Sequence, residues 1–421
     1  MKNTIVLIGA GSVNFGLGTL GAIFKSPVLK GSHVVLHDIN PVALEKVQRI
    51  AARYIEKHQL DFTLGATIDR KEALKGANFC IISIEVGYRF DLWEKDWQIP
   101  QQYGFHQVYG ENGGPGGLFH SLRIIPPILE ICEDIMAICP NAQVMNLSNP
   151  MSRICLTVKR KFPAIRLVGL CHEIDSLPRI LPFMLDTPYD NLDVVAAGLN
   201  HFSVVLSARY KDSGKDAYPD IREKAPEFFS DRHERGLFMD ILKVYGLMPI
   251  TTDSHFGEYI HWAHNSVDHK GIIDFYNHYK KWCLGPQPDY EEGLPMSSMP
   301  SVISIMEAMV SGVEHYDPAV NLLNDGLITN LPADLVVEVP ARIDKNGVHG
   351  LSVGAMPKAF AALLSHEAIV HDMTAEAVLS GSKHAVLQAL LADPVVTNLK
   401  NAEQLVDVMI ELQSPYLDYL K

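Results

Sequence analysis

The sequence lacks any block of basic residues: 36 Lys and Arg are outnumbered by 49 Asp and Glu, and the formal net charge is −13. Binding to nucleic acid requires Lys and Arg clustered where they can neutralise phosphates, so a nucleic-acid partner is not expected. The sequence also lacks an apolar run near the ~20 residues that a membrane-spanning helix needs, so no membrane partner is expected. No signal-peptide pattern precedes the first strand, and we predict a cytoplasmic protein.

Cysteine is scarce and unpaired. The six cysteines are Cys80, Cys132, Cys139, Cys155, Cys171 and Cys283. None belongs to a CxxC pair, which argues against a disulfide framework and for a reducing compartment. Scattered cysteines of this kind are usually small buried apolar groups. The 421 residues are enough for about two domains with sizeable cores.

The N-terminal stretch predicts a dinucleotide site. Thr4 to Ile8 is an apolar, β-branched run, and glycines follow at positions where a strand turns into a helix. A second strand-like run ends at Asp38, whose carboxylate can accept hydrogen bonds from ribose hydroxyls and would repel a 2′-phosphate. The third glycine of the usual G-x-G-x-x-G pattern is replaced by Asn14. The predicted cofactor-binding residues are Gly9, Gly11, Ser12, Asn14, Phe15 and Asp38, with NAD+ favoured over NADP+. The alternative is an ordinary α/β unit that binds no dinucleotide.

Three strand-like stretches later in the chain end in polar residues. Asn149 follows the first, Cys171 and His172 follow the second, and His201 follows the third. Ligands of open α/β sheets bind beyond the carboxyl ends of strands, so we expect three neighbouring strand ends to form one site. A thiolate and an imidazole can hold a divalent metal. The alternative for Cys171 is a core residue, and His201 could simply pair with a carboxylate.

Glycine-rich stretches predict two loops. Tyr109 to Gly117 contains so many glycines that we expect a loop whose backbone approaches a ligand, with Glu111 projecting from it. An amphipathic helix is expected from Leu122 to Cys139, and a second loop from Gly285 to Pro300.

Several motifs together are similar to one enzyme family. They are Gly9-Ala10-Gly11-Ser12, Gly114-Pro115-Gly116-Gly117, Asn149-Pro150-Met151, Cys171-His172-Glu173, Gly198-Leu199-Asn200-His201 and His255-Phe256-Gly257-Glu258-Tyr259. In this order they resemble the family 4 glycoside hydrolases, which depend on NAD and a metal. The resemblance implies an α/β fold like that of lactate and malate dehydrogenases. A Rossmann-type doubly wound sheet is expected in an NAD-binding domain (1–170), and a C-terminal α+β domain (171–421) is expected to serve metal, substrate and oligomerisation.

The resemblance also implies a redox-neutral mechanism, an exception to the usual pair of carboxylates in glycosidases. Bound NAD+ takes a hydride from C3 of the sugar, a base removes the C2 proton, and the aglycone leaves C1. Water then adds and the hydride returns. Mn2+, or another divalent metal, is expected to chelate the C2 and C3 oxygens.

Roles for individual residues follow from the same resemblance. The implied metal ligands are Cys171 and His201. Asn149, His172 and Arg123 are expected to bind the substrate. Glu111 is the candidate acid near the departing oxygen. Asp253 and Tyr259 are candidates for the C2 base, although a solvated loop acid is the ordinary explanation for such an Asp.

Substrate class follows less directly. Phosphorylated-sugar members usually carry Asp or Asn where this chain has His172. The expected substrate is therefore a non-phosphorylated α-glycoside, with an α-hexuronide such as a galacturonide included. Arg89, Arg123 and Arg153 are available for an anionic group at C6. The alternatives are an NAD-dependent sulfoquinovosidase-type glycosidase and a 2-hydroxyacid dehydrogenase of the same fold. By analogy the chain is expected to form a homodimer or homotetramer.

Overall fold

The computed structural model describes residues 3–11, 13–285, 290, 294–295 and 300–421, with the side chains of 13–15 left out. The strands are β1 (Thr4–Ile8), β2 (His33–His37), β3 (Thr63–Thr67), β4 (Phe79–Ile82), β5 (Gln143–Asn146), β6 (Leu167–Gly169), β7 (Leu192–Leu199), β8 (Phe202–Tyr210), β9 (Met248–Pro249), β10 (His315–Leu323), β11 (Val336–Asp344) and β12 (Gly347–Gly350). The α-helices are α1 (Val13–Lys25), α2 (Pro41–Lys57), α3 (Arg70–Ala73), α4 (Arg89–Gln102), α5 (Gly114–Ile138), α6 (Met151–Lys161), α7 (Leu177–Leu185), α8 (Tyr218–Phe228), α9 (Gly236–Tyr245), α10 (Asp253–Phe256), α11 (His269–Leu284), α12 (Pro300–Ser311), α13 (Lys358–Ser380), α14 (Lys383–Ala392), α15 (Leu399–Leu412) and α16 (Ser414–Leu417).

Six parallel strands form the N-terminal part of the sheet. Their order is β3-β2-β1-β4-β5-β6, and every neighbouring pair among them is parallel. This is the strand order of dinucleotide-binding folds, in which ligands bind beyond the carboxyl ends at the point where the order reverses. β4 is buried along its whole length, as a parallel strand covered on both faces should be. The predicted Rossmann-type sheet is confirmed.

Helix α2 shows how local sequence signals build the crossover units. Asn40 caps the helix by accepting hydrogen bonds from two backbone amides of the first turn, and Pro41 occupies the first helical position. Leu44, Val47 and Ala51 are buried at helical spacing and join the apolar cluster that contains β1 and β2. The amphipathic pattern therefore fixes which face of α2 covers the sheet.

An antiparallel part continues the same sheet beyond β6. β10 pairs with β6 through one residue pair, Asn321 with Gly169, and β11 pairs with β7 through Glu338 and Gly198. We call the β6–β10 pairing the seam. Because β10 and β11 lie between β6 and β7, the expectation of three neighbouring strand ends is wrong in detail. Asn149 and Cys171 follow adjacent strands, whereas His201 sits in the β7–β8 hairpin.

Only the first part of the glycine-rich stretch from Tyr109 to Gly117 is a loop. Gly114 to Gly117 begin α5, so the prediction of a loop through Gly117 is wrong for these four residues. The reason is close packing: a Cβ on Gly116 would lie 2.5 Å from the Gly110 carbonyl oxygen, and one on Gly117 would lie 2.3 Å from the Asn112 carbonyl carbon. Glycine here permits backbone contact at a helix start, which offsets its entropic cost.

None of the helices in the described part of the chain combines the length and the apolar character required to cross a bilayer. The predicted loop from Gly285 to Pro300 falls largely outside the described residues. The division of the chain at 170 and 171 stays a prediction.

Candidate active site

One cavity of about 1180 Å³ lies at the carboxyl ends of the parallel strands. Gly9 and Asp38 line one end of it, and Cys171, His201 and His255 line another part. A volume of this order is large enough for a dinucleotide fragment together with a sugar. The sequence-predicted nucleotide and metal residues therefore share one space.

The nucleotide end is shaped by Gly9 and Asp38. Gly9 has a φ of +89°, and a Cβ there would lie 2.0 Å from the Ser83 carbonyl oxygen, so only glycine fits the turn. The Asp38 carboxylate accepts hydrogen bonds from the amides of Gly11 at 2.7 Å and Asn40 at 2.8 Å. Asp38 thus sits against the turn, where its remaining lone pairs can accept from a ribose.

The other three predicted nucleotide residues follow β1 in the sequence, at or just before the start of α1. Ser12 lies outside the described residues. Asn14 and Phe15 lie in the first turn of α1.

Cys171 and His201 meet across the seam. The Cys171 Sγ lies 3.3 Å from the His201 Nε2. His201 has a φ of +62°, a left-handed conformation set by the tight hairpin between β7 and β8. Donors of these types at this separation can share one divalent ion.

Two further side chains join this pair. Glu173, His201 and His255 each offer a ligand atom within 4.8 Å of the others. The His255 Nε2 lies 3.6 Å from the Glu173 carboxylate, and the His201 Nε2 lies 3.7 Å from it. One carboxylate oxygen of Glu173 is buried without a hydrogen-bond partner among the described residues. Both imidazoles approach the other oxygen, Oε1, so the buried Oε2 remains as an acceptor for a cation or a further donor.

Glu338 holds the His201 turn in place. Its carboxylate accepts hydrogen bonds from the side chains of Asn200 (3.0 Å), Ser203 (2.9 Å) and Asn321 (3.1 Å). These partners come from the β7–β8 hairpin and from β10. The hairpin is therefore fixed to the strands that separate it from Cys171.

Burial dominates the electrostatics of the cluster. Burial, followed by the charges of Glu173 and Glu338, raises the pKa of the Cys171 thiol well above its usual value. Burial and the neighbouring His255 lower the pKa of His201, and burial raises the pKa of Glu173 to about 7. Burial lowers the pKa of His255, but Glu173 and Glu111 more than compensate, so the net shift is upward. A bound divalent cation would favour the thiolate and the neutral imidazoles that serve as ligands.

Glu111 also lines the cavity, and its carboxylate is paired. Arg89 Nη2 lies 2.5 Å from Glu111 Oε1, and His255 Nδ1 lies 3.8 Å from Glu111 Oε2. Glu111 is therefore a side chain of the cavity wall that is held between a guanidinium and an imidazole.

The structure does not bring Asp253 or Tyr259 to the cavity wall. Asp253 is fully buried and accepts hydrogen bonds from the amides of Leu237 (3.0 Å) and Phe238 (2.9 Å), so it caps the start of α9. Tyr259 is buried with its ring stacked on Phe202, the ring centroids being 5.1 Å apart. Both side chains are engaged in packing and capping.

The predicted substrate residues are placed differently from one another. Asn149 and His172 line the cavity, and the Asn149 Oδ1 has no hydrogen-bond partner among the described residues. Arg123 also lines it but is paired with Asp96 at 2.8 Å. Arg153 is fully buried against Glu367 and is not among the lining residues, so it is not available to a substrate group.

Glu173 and His255 were missed as possible metal ligands by sequence reasoning. Glu173 lies two residues after Cys171, and His255 heads the His-Phe-Gly-Glu-Tyr motif. The one sequence signal for a functional role was that both residues belong to motifs shared with the glycoside hydrolase family that the sequence resembles. Nothing in their spacing indicates that residues 82 positions apart face one another.

Family models match most of the chain. The model described as family 4 glycosyl hydrolase matches residues 4–186, and that of the family 4 glycosyl hydrolase C-terminal domain matches residues 196–396. An alpha-glucosidase of Erwinia rhapontici is 52% identical over 458 aligned residues that cover 100% of both chains. An alpha-galacturonidase of Thermoanaerobacterium saccharolyticum is 28% identical and covers 99% of this chain and 96% of its own.

Solved structures show the same fold. A 6-phospho-alpha-glucosidase from gut microorganisms, in complex with NAD and Mn2+, superposes with a TM-score of 0.81 at 20% identity, covering 100% of both chains. A malate dehydrogenase of Cryptosporidium parvum gives a TM-score of 0.56 at 15% identity, covering 90% of this chain and 100% of that one. The dehydrogenase-like fold expected from sequence is confirmed.

Proposed function

This chain belongs to the family 4 glycosyl hydrolases, and we propose that it hydrolyses a non-phosphorylated α-glucoside using NAD+ and a divalent metal such as Mn2+. The observation that carries the proposal is the contact of Cys171 with His201 in the same cavity as Gly9 and Asp38. The 52% identity to an alpha-glucosidase over the full length supports the glucoside. The similarity to a galacturonidase is much lower, at 28%.

The residues present fit both groups. Cys171 and His201 would hold the cation, with His255 and Glu173 close enough to complete its surroundings. Gly9, Gly11 and Asp38 would hold the nucleotide. When bound, NAD+ would supply a hydride acceptor and the metal a Lewis acid. The unpaired Asn149 Oδ1 would accept a hydrogen bond from a sugar hydroxyl.

Glu111 would accept the proton from C2 of the sugar. It lines the cavity, and the Arg89 guanidinium holds its carboxylate there. This replaces Asp253 and Tyr259, which are engaged elsewhere, and differs from the acid role expected for Glu111 from sequence. A carboxylate within reach of substrate and held by one cation is a suitable general base.

The test is hydrolysis of 4-nitrophenyl α-glucoside with NAD+ and Mn2+ in D2O. We expect nitrophenol release without net NADH and deuterium at C2 of the released glucose. Glu111→Gln is expected to abolish deuterium incorporation while NAD+ binding persists. Release of glucose without deuterium would refute proton removal at C2. NADH accumulating in proportion to product would instead support a dehydrogenase.

A further inference from the structure

The cavity offers no uncommitted Lys or Arg among its described lining residues. Arg70, Arg89 and Arg123 line it. Arg70 is paired with Asp134 at 2.6 Å, Arg89 with Glu111 at 2.5 Å, and Arg123 with Asp96 at 2.8 Å. An anionic sugar substituent would need a guanidinium or ammonium partner to offset its desolvation. It would have to compete with carboxylates already in place.

Glu85 is a further carboxylate on the wall of this cavity. It follows β4 and is held from three sides. Its Oε1 accepts a hydrogen bond from the Val86 amide at 3.0 Å and lies 3.4 Å from His120 Nε2, and its Oε2 lies 3.6 Å from Arg89 Nη1. The side chain keeps 26% of its surface exposed, and the remaining lone pairs can reach a bound molecule.

The environment of His120 keeps Glu85 charged. His120 Nδ1 lies 2.8 Å from the Glu111 carbonyl oxygen, which can only accept a hydrogen bond. His120 Nε2 faces the Glu85 carboxylate, which accepts as well. Burial raises the pKa of Glu85, but His120 and Arg89 outweigh it and lower the pKa to about 2.

A carboxylate in this position discriminates by chemistry. It accepts hydrogen bonds and donates none, so it suits a sugar hydroxyl and leaves a sugar carboxylate without a donor. Placing an anionic substituent opposite a carboxylate also costs binding energy, because the two like charges repel each other. The same group would therefore favour neutral sugars and disfavour charged ones.

We propose that Glu85 is a specificity-determining residue that accepts a hydrogen bond from a neutral hexoside and disfavours sugars bearing a carboxylate, sulfonate or phosphate. The inference rests on the proposed function, because it concerns the sugar bound in that site. It replaces the hexuronide expected among the substrates with a neutral glycoside.

The experiment compares kcat/KM for 4-nitrophenyl α-glucoside and 4-nitrophenyl α-glucuronide, which differ only at C6. The wild-type enzyme is expected to favour the glucoside. Glu85→Gln keeps the shape but removes the charge, and it is expected to reduce that preference by at least about tenfold. Glu85→Asp keeps the charge and is expected to retain the preference. Glu94→Gln is the matched control, since Glu94 lies nearby on α4 and pairs with Lys280 but does not line the cavity.

Several outcomes would overturn the inference. The first is a folded Glu85→Gln enzyme with the wild-type preference for the glucoside, and the second is a wild-type enzyme that prefers the glucuronide. The third is a Glu85→Gln enzyme in which only the affinity for NAD+ changes. A second measurement needs no variant: glucose is expected to inhibit the wild type more strongly than glucuronate, and equal inhibition would contradict the inference. If the wild type cleaves neither glycoside with NAD+ and Mn2+, the proposed function fails and this inference fails with it. If the wild type cleaves the glucoside and Glu85→Gln keeps the same ratio of kcat/KM for glucoside over glucuronide, only the role of Glu85 is refuted.

Discussion

The Glu258 carboxylate accepts a hydrogen bond from the backbone amide of Glu111 at 2.5 Å. The same oxygen accepts from the Asn112 amide at 2.9 Å, and the other carboxylate oxygen accepts from the Asn112 side chain at 3.2 Å. Residues 147 positions apart in the chain are thereby tied together, and the loop that presents Glu111 to the cavity is fixed by a buried acid.

Glu258→Ala is expected to lower the free energy of unfolding by about 2–4 kcal/mol, because three donors lose their buried acceptor. It should also lower kcat/KM, because the Glu111 backbone loses its anchor. Urea denaturation and glucoside turnover measure the two effects. Glu258→Gln keeps one acceptor oxygen, so its stability and turnover should fall between those of the wild type and those of Glu258→Ala. A Glu258→Ala enzyme with wild-type stability and turnover would show that the loop holds itself.

Cys171→Ser is expected to weaken Mn2+ binding and to abolish metal-dependent activity. Changing groups that only orient metal ligands costs about 10–100-fold in affinity, so losing a ligand should cost at least about 100-fold. Mn2+ titration by calorimetry measures this, with NAD+ affinity as the internal reference. Cys283→Ser, in the wall of the same cavity, is the control.

His255→Ala separates two arrangements of the metal cluster. If His255 contacts the ion, Mn2+ affinity should fall as it does for Cys171→Ser, and this is the expected result given its 3.6 Å approach to Glu173. Wild-type affinity would place His255 outside the coordination sphere.

Asp38→Ala is expected to weaken NAD+ binding by about 1–3 kcal/mol, because a part-buried acceptor for ribose hydroxyls and for the Gly11 amide is lost. Fluorescence titration with NAD+ and NADP+ measures it. Asp38→Asn keeps one acceptor oxygen and removes the charge. It should therefore reduce the difference in binding affinity between NAD+ and NADP+. If neither variant changes NAD+ affinity, the Asp38 carboxylate stabilises the turn at Gly11 and does not bind the ribose.

Arg153→Met is expected to lower the free energy of unfolding by about 3–5 kcal/mol, because it removes the buried cation 3.2 Å from the Glu367 carboxylate and leaves that carboxylate, among the described residues, only the His371 imidazole. Arg160→Met is the control on the same helix: its pairs are exposed and worth at most about 1 kcal/mol. Adding Glu367→Met to Arg153→Met should recover part of the loss. Equal effects of the two arginine variants would contradict the buried-pair account.

Asp393 should make stability fall as pH rises through the acidic range. Burial, followed by repulsion from Glu367, raises its pKa from 3.8 to about 7 in the folded state. Between these values the folded state binds more protons than the unfolded state, so unfolding becomes more favourable as pH rises. Asp393→Asn should therefore gain stability relative to the wild type as pH rises from 4 to 7. Urea midpoints across that range test it, with exposed Asp418→Asn as the control, and parallel curves would contradict the assignment.

Local patterns predicted the parallel half of the fold well. The apolar run of β1, the capped amphipathic helix α2 and the acid after β2 are signals carried by neighbouring residues. Cys171 and His201 were paired through a family resemblance, and the structure brings their side chains into contact.

The remaining features depend on packing between distant segments. The helical start of α5 depends on contacts of Gly116 and Gly117 with the preceding loop. Asp253 became a helix cap through amides 15 and 16 positions earlier in the chain, and Arg153 met Glu367 214 positions away. Period and spacing carry no information about such pairings, because the partners belong to different elements.

The seam leaves almost no freedom at Gly169. A Cβ at this position would lie 2.5 Å from the Met151 sulfur and 2.9 Å from the Cys155 sulfur, on the strand that delivers Cys171 two residues later. Alanine at this position would therefore require the Met151 and Cys155 side chains to move, directly beside the strand end that carries the thiol proposed to bind the metal.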